Sequence, residues 1–394
     1  MTTHCGSIPR PPELVDMLRG RMEGKKVKNP ELAAEVKRAV TNVVREQARH
    51  GIDIVSDGEM GKVGFIPYIN ERLGGFEPSN WGANESYWGK SREAQAFPGF
   101  YAWAAKQAGT AGNVGLTRWV ATGPIKYKGQ DALKTDIDNL KFAMTAAGVT
   151  EAFMPSISPG NAADWHKNEY YDKEDDYLFA VADALHDEYQ AIVDSGLLLQ
   201  IDDPHLVTYY VMHPELSLKE CRAWAAKRVE AINRALKGIP REKVRYHTCY
   251  SINMGPRVHD MELKDIIDVM LKVRAGAFSF EAANPRHEHE WKVWQNVKLP
   301  AETVLIPGVI TNSTNLVEHP ELVSDRIQKF VSVVGRDNVI AGADCGFASF
   351  AVSFEIHSEV VWAKFEALTE GAKLASKCGS GTRRRRKPPQ RRLR

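Results

Sequence analysis

His247, Thr248 and Cys249 close the run Val244–Cys249, whose β-branched and aromatic residues read as a strand. Successive side chains on a strand point to opposite faces, so residues two apart share one. His247 and Cys249 can therefore grip one ion together, with Thr248 turned away. Two further strand-like runs end in ligand-capable residues. Ala277–Phe280 leads into Glu281, and Val339–Ala343 leads into Cys345. Imidazole, thiolate and carboxylate form a donor set compatible with zinc. A free thiol titrates near ~8.5 and is mostly protonated at neutral pH, whereas one bound to zinc is deprotonated outright. The chemistry on offer is activation of a substrate thiol for alkylation. Taken singly, each residue has a plainer reading: the cysteines as small buried apolar groups, His247 as a hydrogen-bonded core histidine. Four ligand-capable side chains at three strand ends are harder to read that way.

For these residues to meet, their strands must end on one face of one sheet. The chain supplies a repeated alternation of short β-rich runs and amphipathic helical stretches. The runs include Cys5–Ile8, Asp53–Ser56, Thr117–Ala121, Leu197–Ile201 and Val304–Ile310 besides those above, and the helical candidates are 29–49, 131–146, 175–195, 216–236 and 320–334. Most runs end in a chemically loaded stretch: DGE, TGP, DDP, HTC, FE or ADCG. A (β/α)8 barrel sends the C-terminal ends of all its strands to one mouth. An open doubly wound sheet would gather such residues at a switch point beside a Gly-rich phosphate loop, and neither G-x-G-x-x-G after a strand nor a P-loop occurs. The expected fold is therefore α/β, a single (β/α)8 TIM barrel over residues 1–375. Glu151–Ser156 makes one strand too many and is assigned to an insertion near 148–175. A second insert, near 76–110, carries Trp81, Tyr87, Trp88, Phe97, Phe100, Tyr101 and Trp103, which could form an apolar lid over the mouth.

Composition narrows the function classes. With 43% hydrophobic and 26% charged residues the chain reads as a soluble globular protein. No apolar run approaches the roughly 20 residues of a bilayer span. The opening MTTHCGSIPRPPEL lacks the apolar core of a signal peptide, so a cytoplasmic location is expected. Five scattered cysteines (Cys5, Cys221, Cys249, Cys345 and Cys378) do not describe a disulfide framework. Eight of the last twelve residues, RRRRKPPQRRLR, are Lys or Arg, so the formal charge of +2 becomes −6 without them. That acidic body offers no basic face for nucleic acid, and the tail, 376–394, is expected to be disordered with at most nonspecific contacts to polyanions.

The elements HTCYS, SFEAA, PGVI and ADCGF, preceded by GSIPRP, DGE at 57–59 and QIDDP at 200–204, resemble in type and order the catalytic barrel of the cobalamin-independent methionine synthase family. The resemblance covers about residues 1–370. It implies a zinc site made by His247, Cys249, Glu281 and Cys345, and thiol-substrate contacts near Cys5, Gly6, Ser7, Glu59 and Asp202. The activity it implies is transfer of a methyl group to homocysteine, as in a methyltetrahydropteroylglutamate:homocysteine methyltransferase. Two thiolates already neutralise a divalent ion, so Glu281 would make the complete site anionic and is expected to be the labile ligand, loosened when substrate sulfur binds. Glu59 and Asp202 would hold the ammonium of an amino-acid thiol.

Some positions depart from the family pattern. Ser313 stands where the family places a proton-donating histidine after its PGV strand, and a serine is no general acid near neutral pH. Asp203 replaces the glutamate of the usual DEP, and the sequence does not contain the N-terminal half with which the two-barrel members help bind a folate. The methyl donor is thus left open among methyltetrahydrofolate, methylcobalamin and other carriers. A related reading is thiol addition to an epoxide, similar to epoxyalkane:coenzyme M transferase, in which Lys62, Lys126 or Arg286 would meet a sulfonate. A reading from another class is a zinc-free barrel similar to uroporphyrinogen decarboxylase, or a binding protein without turnover. His205 could face the pocket. Arg286–Glu290 lacks the H-E-x-x-H spacing of a metal site and is expected to be a solvated charged turn.

Overall fold

A computed structural model describes residues 1–22, 30–79, 88–106, 118–250, 255–352 and 356–378. The helical periodicity becomes helices Pro30–Arg49, Gln130–Ala147, Glu174–Asp194, Leu218–Ala235 and Pro320–Val334. The first buries the stripe Leu32, Val36, Ala39, Val40, Val43 and Val44, spaced three or four apart as an α-helix requires. Leu218–Ala235 begins at Ser217, whose side chain accepts from the Glu220 N–H while the Glu220 carboxylate accepts from the Ser217 N–H.

The described strands are β1 (Leu73–Ser79), β2 (Arg118–Tyr127), β3 (Phe153–Ile157), β4 (Lys167–Asn168), β5 (Leu198–Asp202), β6 (Val244–Thr248), β7 (Ala277–Phe280), β8 (Val304–Ile310) and β9 (Gly342–Ala343). Six of them pair in parallel in the order β3-β5-β6-β7-β8-β9. The ring then closes through two short segments. Thr2 bridges Ala341 on one side, the Asp53 and Ile54 amides donate to the Thr2 carbonyl on the other, and Val55 bridges Ala152 beside β3. Eight chain segments thus surround one axis, a (β/α)8 barrel in which every strand's C-terminal end faces the same mouth.

Two assignments made from sequence exchange places. Glu151–Ser156 contributes to β3, a barrel strand buried at all five positions. Thr117–Ala121 overlaps β2 instead, which pairs antiparallel with β1 and parallel with β4 in a separate three-stranded sheet. Short β-rich runs carry no mark of which sheet they join, because pairing partners lie far away in sequence. The second correction concerns the tail. Residues 376–378 finish the helix Ser358–Cys378, and the remainder of the basic segment lies outside the described residues. Among the described residues no helix is long and apolar enough to cross a membrane.

The barrel interior below the mouth is polar and ties the N-terminal segment in place. Arg245, two residues before His247 on the same face of β6, donates to the Thr3 hydroxyl (2.9 Å) and the His4 carbonyl (2.7 Å). Its guanidinium lies 3.9 Å from the Phe153 ring centroid. Gln200 donates to the Cys5 carbonyl (2.8 Å) and to Asp202 Oδ1 (2.7 Å). Glycine permits the closest strand approach: a Cβ on Gly308 of β8 would lie 2.6 Å from Asp344 Cα and 2.7 Å from its amide nitrogen. Backbone cannot yield as a side chain can. Gly308→Ala is therefore expected to lower unfolding free energy by about 1–3 kcal/mol through overpacking, read from the midpoint of a denaturant titration. An unchanged midpoint would show that β8 and the chain beyond β9 separate at no cost.

Candidate metal centre

Three of the four expected ligands meet. The ligand-capable atoms of His247, Cys249 and Cys345 all lie within 4.8 Å of one another, each in a buried side chain. Cys249 Sγ and Cys345 Sγ are 2.8 Å apart. His247 sits at the end of β6, in register with Asp202 of β5 and Ser279 of β7, and Cys249 follows two residues on. Cys345 arrives from the segment after β9, where the Asp344 carboxylate accepts from the Ala282 and Ala283 amides and so clamps the ends of two strands together. Gly346 lets this segment seat against the N-terminus, since a Cβ there would lie 2.0 Å from Ser7 Oγ.

The protonation chemistry of the three residues suits a soft divalent ion. Burial and the nearby Arg245 cation push the His247 pKa down to about 3, so the imidazole is neutral at physiological pH with a lone pair to give. Its Nδ1 is buried with no hydrogen-bond partner among the described residues. The Cys345 thiol is pushed well above its ordinary range by its hydrogen bond with Cys249 and by burial, with the charges of Cys249 and Glu281 adding. Two adjacent sulfurs can both ionise only beside a cation, and an imidazole with two sulfurs is a donor set that could hold zinc or another thiophilic metal.

Glu281 is placed one residue beyond β7 but outside that group. Its Oε1 accepts from the Tyr250 N–H (2.7 Å), and its Oε2 accepts from Arg257 Nη1 (2.6 Å) and Asn284 Nδ2 (2.7 Å). The fourth ligand expected from sequence is thus an ion-paired carboxylate in this structure. Catalytic zinc sites commonly keep three protein ligands and one open position.

His247, Cys249 and Cys345 line a cavity shared with Cys5, Ser7, Glu59, Phe65, Asp202, Pro204, Gly346 and Ser349. Of the expected substrate contacts, Cys5, Ser7, Glu59 and Asp202 reach this cavity. Gly6 does not line it, but its backbone at φ +120° brings the chain close to Glu59, whose Oε1 would lie 3.1 Å from an added Cβ. Glu59 itself adopts φ +56°, a left-handed conformation that costs a non-glycine residue of the order of 1 kcal/mol. Arg10 holds it there, donating to the Glu59 carbonyl (2.8 Å) and the Lys62 carbonyl (3.0 Å). Glu59 Oε2 is buried without a partner among the described residues. Burial raises the Glu59 pKa against the pull of Lys62 and Arg10, and raises that of Asp202 well above the carboxylate range, with the Glu59 charge adding.

Other expectations resolve differently. Ser313 bonds through its hydroxyl to Thr311 Oγ1 (2.8 Å) and is not part of the cavity lining, and His205 lies outside it too. Asp203 accepts from the hydroxyls of Ser158 (2.8 Å) and Tyr246 (2.7 Å), a supporting role beneath the mouth. The described aromatics of the insert do not line the cavity. Phe100 packs on Tyr101 and Trp103, while Trp81 and Tyr87 lie outside the described residues. The apolar lining comes from Pro204, which closes the QIDDP stretch, and from Phe65, which carries no periodic or motif signal. The turn 286–290 is not solvated throughout, because His287 is buried between Asp260 (3.1 Å) and Glu290 (2.9 Å). Two carboxylates outweigh the burial that opposes its charge and raise it to about 9.

The comparisons with known proteins agree with the fold. The family model for the cobalamin-independent synthase catalytic domain matches residues 1–149 and 157–358. The chain belongs to that family. Two curated relatives, the methionine synthases of Thermococcus kodakarensis and Sulfolobus acidocaldarius, are each 27% identical; both matches cover 88% of this chain, with 86% and 85% of the relative respectively. A solved B12-independent methionine synthase from Shewanella sp. W3-18-1, described as a complex with selenomethionine, shares the fold with a TM-score of 0.70 at 18% identity, covering 97% of this chain and 99% of that one.

Metal analysis tests the centre directly. Protein purified with metal is expected to hold about one ion per chain. Cys249→Ala and Cys345→Ala should each lose it, whereas Glu281→Ala should retain most of it. Full metal content in both cysteine variants would remove these sulfurs from the site.

Proposed function

We propose that this protein is a zinc-dependent S-methyltransferase that methylates homocysteine to methionine. The observation that carries the reading is the cavity itself, whose lining brings the His247, Cys249 and Cys345 donors together with the Glu59 and Asp202 carboxylates. The names of the curated relatives support the same acceptor. Zinc, when held by those three residues, makes a substrate thiol nucleophilic at neutral pH. The remaining work belongs to the chain. Glu59 presents an unpartnered carboxylate oxygen, and Asp202 stands beside the register position of His247, so both can take the ammonium of an amino-acid thiol. An incoming cation relieves the repulsion between these two buried acids. Phe65 and Pro204 supply apolar lining beside the sulfur site.

The charge of the lining bears on the rival acceptor. No described Lys or Arg lines the cavity. Lys62 is committed to the Pro155 carbonyl (2.6 Å), Arg286 donates to the Val258 carbonyl (2.7 Å), and Lys126 is exposed on β2. A sulfonate-bearing thiol would face two carboxylates, with no described Lys or Arg in the lining to pair with it. The acceptor is an amino thiol on this reading, and the methyl carrier is left to a donor screen.

A panel of homocysteine, coenzyme M and glutathione tests the acceptor by X-ray absorption at the metal. Homocysteine alone should add a sulfur contact, and addition by coenzyme M instead would reverse the assignment. Glu59→Gln should raise KM for homocysteine about tenfold or more, the loss of a charge-assisted contact, with metal content unchanged. A pH dependence follows from the raised carboxylates. Their ionised forms are needed to hold an ammonium and are lost as pH falls through the raised values. Methionine, which has no thiol proton, should therefore bind more weakly as pH is lowered, beginning above the ordinary carboxylate range near ~4–4.5. Calorimetry from pH 8 down to 5 reads this, and a flat affinity would exclude the two acids from the ammonium site.

A further inference from the structure

The Glu281 carboxylate has a purpose-built seat away from the metal donors. Three donors fill it: the Tyr250 amide on one oxygen, Arg257 and Asn284 on the other. The ion pair is dry, with side-chain exposures of 7% for Arg257 and 0% for Glu281. Arg257 reaches it from a left-handed backbone, φ +57°, a conformation that a non-glycine residue adopts at some cost. The seat is also tied to the centre on two sides. Tyr250 directly follows the ligand Cys249, and Asn284 also donates to Asp344 (3.3 Å), the neighbour of Cys345.

We propose that Arg257 is a positioning residue that receives the Glu281 carboxylate when a substrate thiol takes the fourth position. This rests on the zinc–thiol reading above. Charge supplies the reason. Two cysteine thiolates balance a divalent ion, so one further anion leaves the centre at −1 and two would leave it at −2 in a buried site. Carboxylate and substrate sulfur therefore exclude one another. Arg257 neutralises the displaced carboxylate without exposing it to water, which keeps displacement from stranding a buried charge. In the exchange the carboxylate–metal bond breaks, the sulfur–metal bond forms, and the thiol proton leaves to solvent. Asn284 and the Tyr250 amide supply the remaining hydrogen bonds of the seat.

The test is a double-mutant cycle on zinc-loaded full-length protein, with homocysteine affinity measured by calorimetry and metal ligation by X-ray absorption. Arg257→Met should weaken homocysteine binding on the order of tenfold, a typical coupling between linked sites, and should retain oxygen ligation when homocysteine is added. Arg257→Lys should recover part of the affinity. In a Glu281→Ala background neither Arg257 substitution should matter, because no carboxylate remains to be received. Homocysteine affinity unchanged in both Arg257 variants, or an equal loss in the Glu281→Ala background, would overturn the proposal while leaving the zinc–thiol reading intact. Should Arg257→Met not fold, Arg257→Lys carries the cycle alone. Protein that takes up no zinc would overturn both readings together.

Discussion

Two sulfurs 2.8 Å apart, in side chains closed to water, set the terms for everything around them. Neither can ionise cheaply beside the other, and a cation changes that balance at once. The surrounding fold prepares for such an ion. His247 is kept neutral by burial and by Arg245, the mouth segments are clamped by the Asp344 carboxylate, and the approach of those segments depends on Gly308 and Gly346. Removing water matters as much as placing ligands, because a dry site raises the value of every charge near the sulfur.

The mouth divides its acids by task. Glu59 and Asp202 are left short of cationic hydrogen-bond partners inside the cavity, which is costly for the free protein and favourable to a cationic ligand. Glu281 is the opposite case, an acid satisfied by three donors, one of them an arginine. A third acidic group lies behind it, where Asp260 and Glu290 flank His287 and the imidazole ring stacks 3.8 Å from Tyr250. That stack braces the backbone amide on which Glu281 rests. Charge is thus paired where rigidity is needed and unpaired where a ligand must enter.

Family membership and cavity chemistry bear on different parts of the reaction. The family model of a cobalamin-independent synthase catalytic domain covers most of the chain and agrees with its barrel. Ser313, which the resemblance sets at the position of a proton donor, is turned to Thr311 and takes no place in the cavity. Within the described part of the aromatic insert, Phe100 packs on Tyr101 and Trp103, and Arg92 donates to the carbonyls of Tyr210 and His213 at the helix His205–Met212.

Local pattern sufficed wherever the determining forces were local. Helices announced themselves because burial of one stripe at 3.6-residue spacing is written into neighbouring residues, as in Pro30–Arg49. The pairing of His247 with Cys249 followed from the two-residue repeat of a strand, and the barrel from loaded residues at successive strand ends. What depended on distant partners was not legible. Whether Glu151–Ser156 or Thr117–Ala121 joined the barrel turned on which edge each could pair with. The ligand role of Glu281 turned on Arg257 and Asn284, and the burial of His287 on Asp260. Sequence alone determined which side chains could bind a metal, since donor chemistry belongs to the residue. Tertiary structure decided which of them face it, since a carboxylate goes to the strongest partner the fold brings within reach.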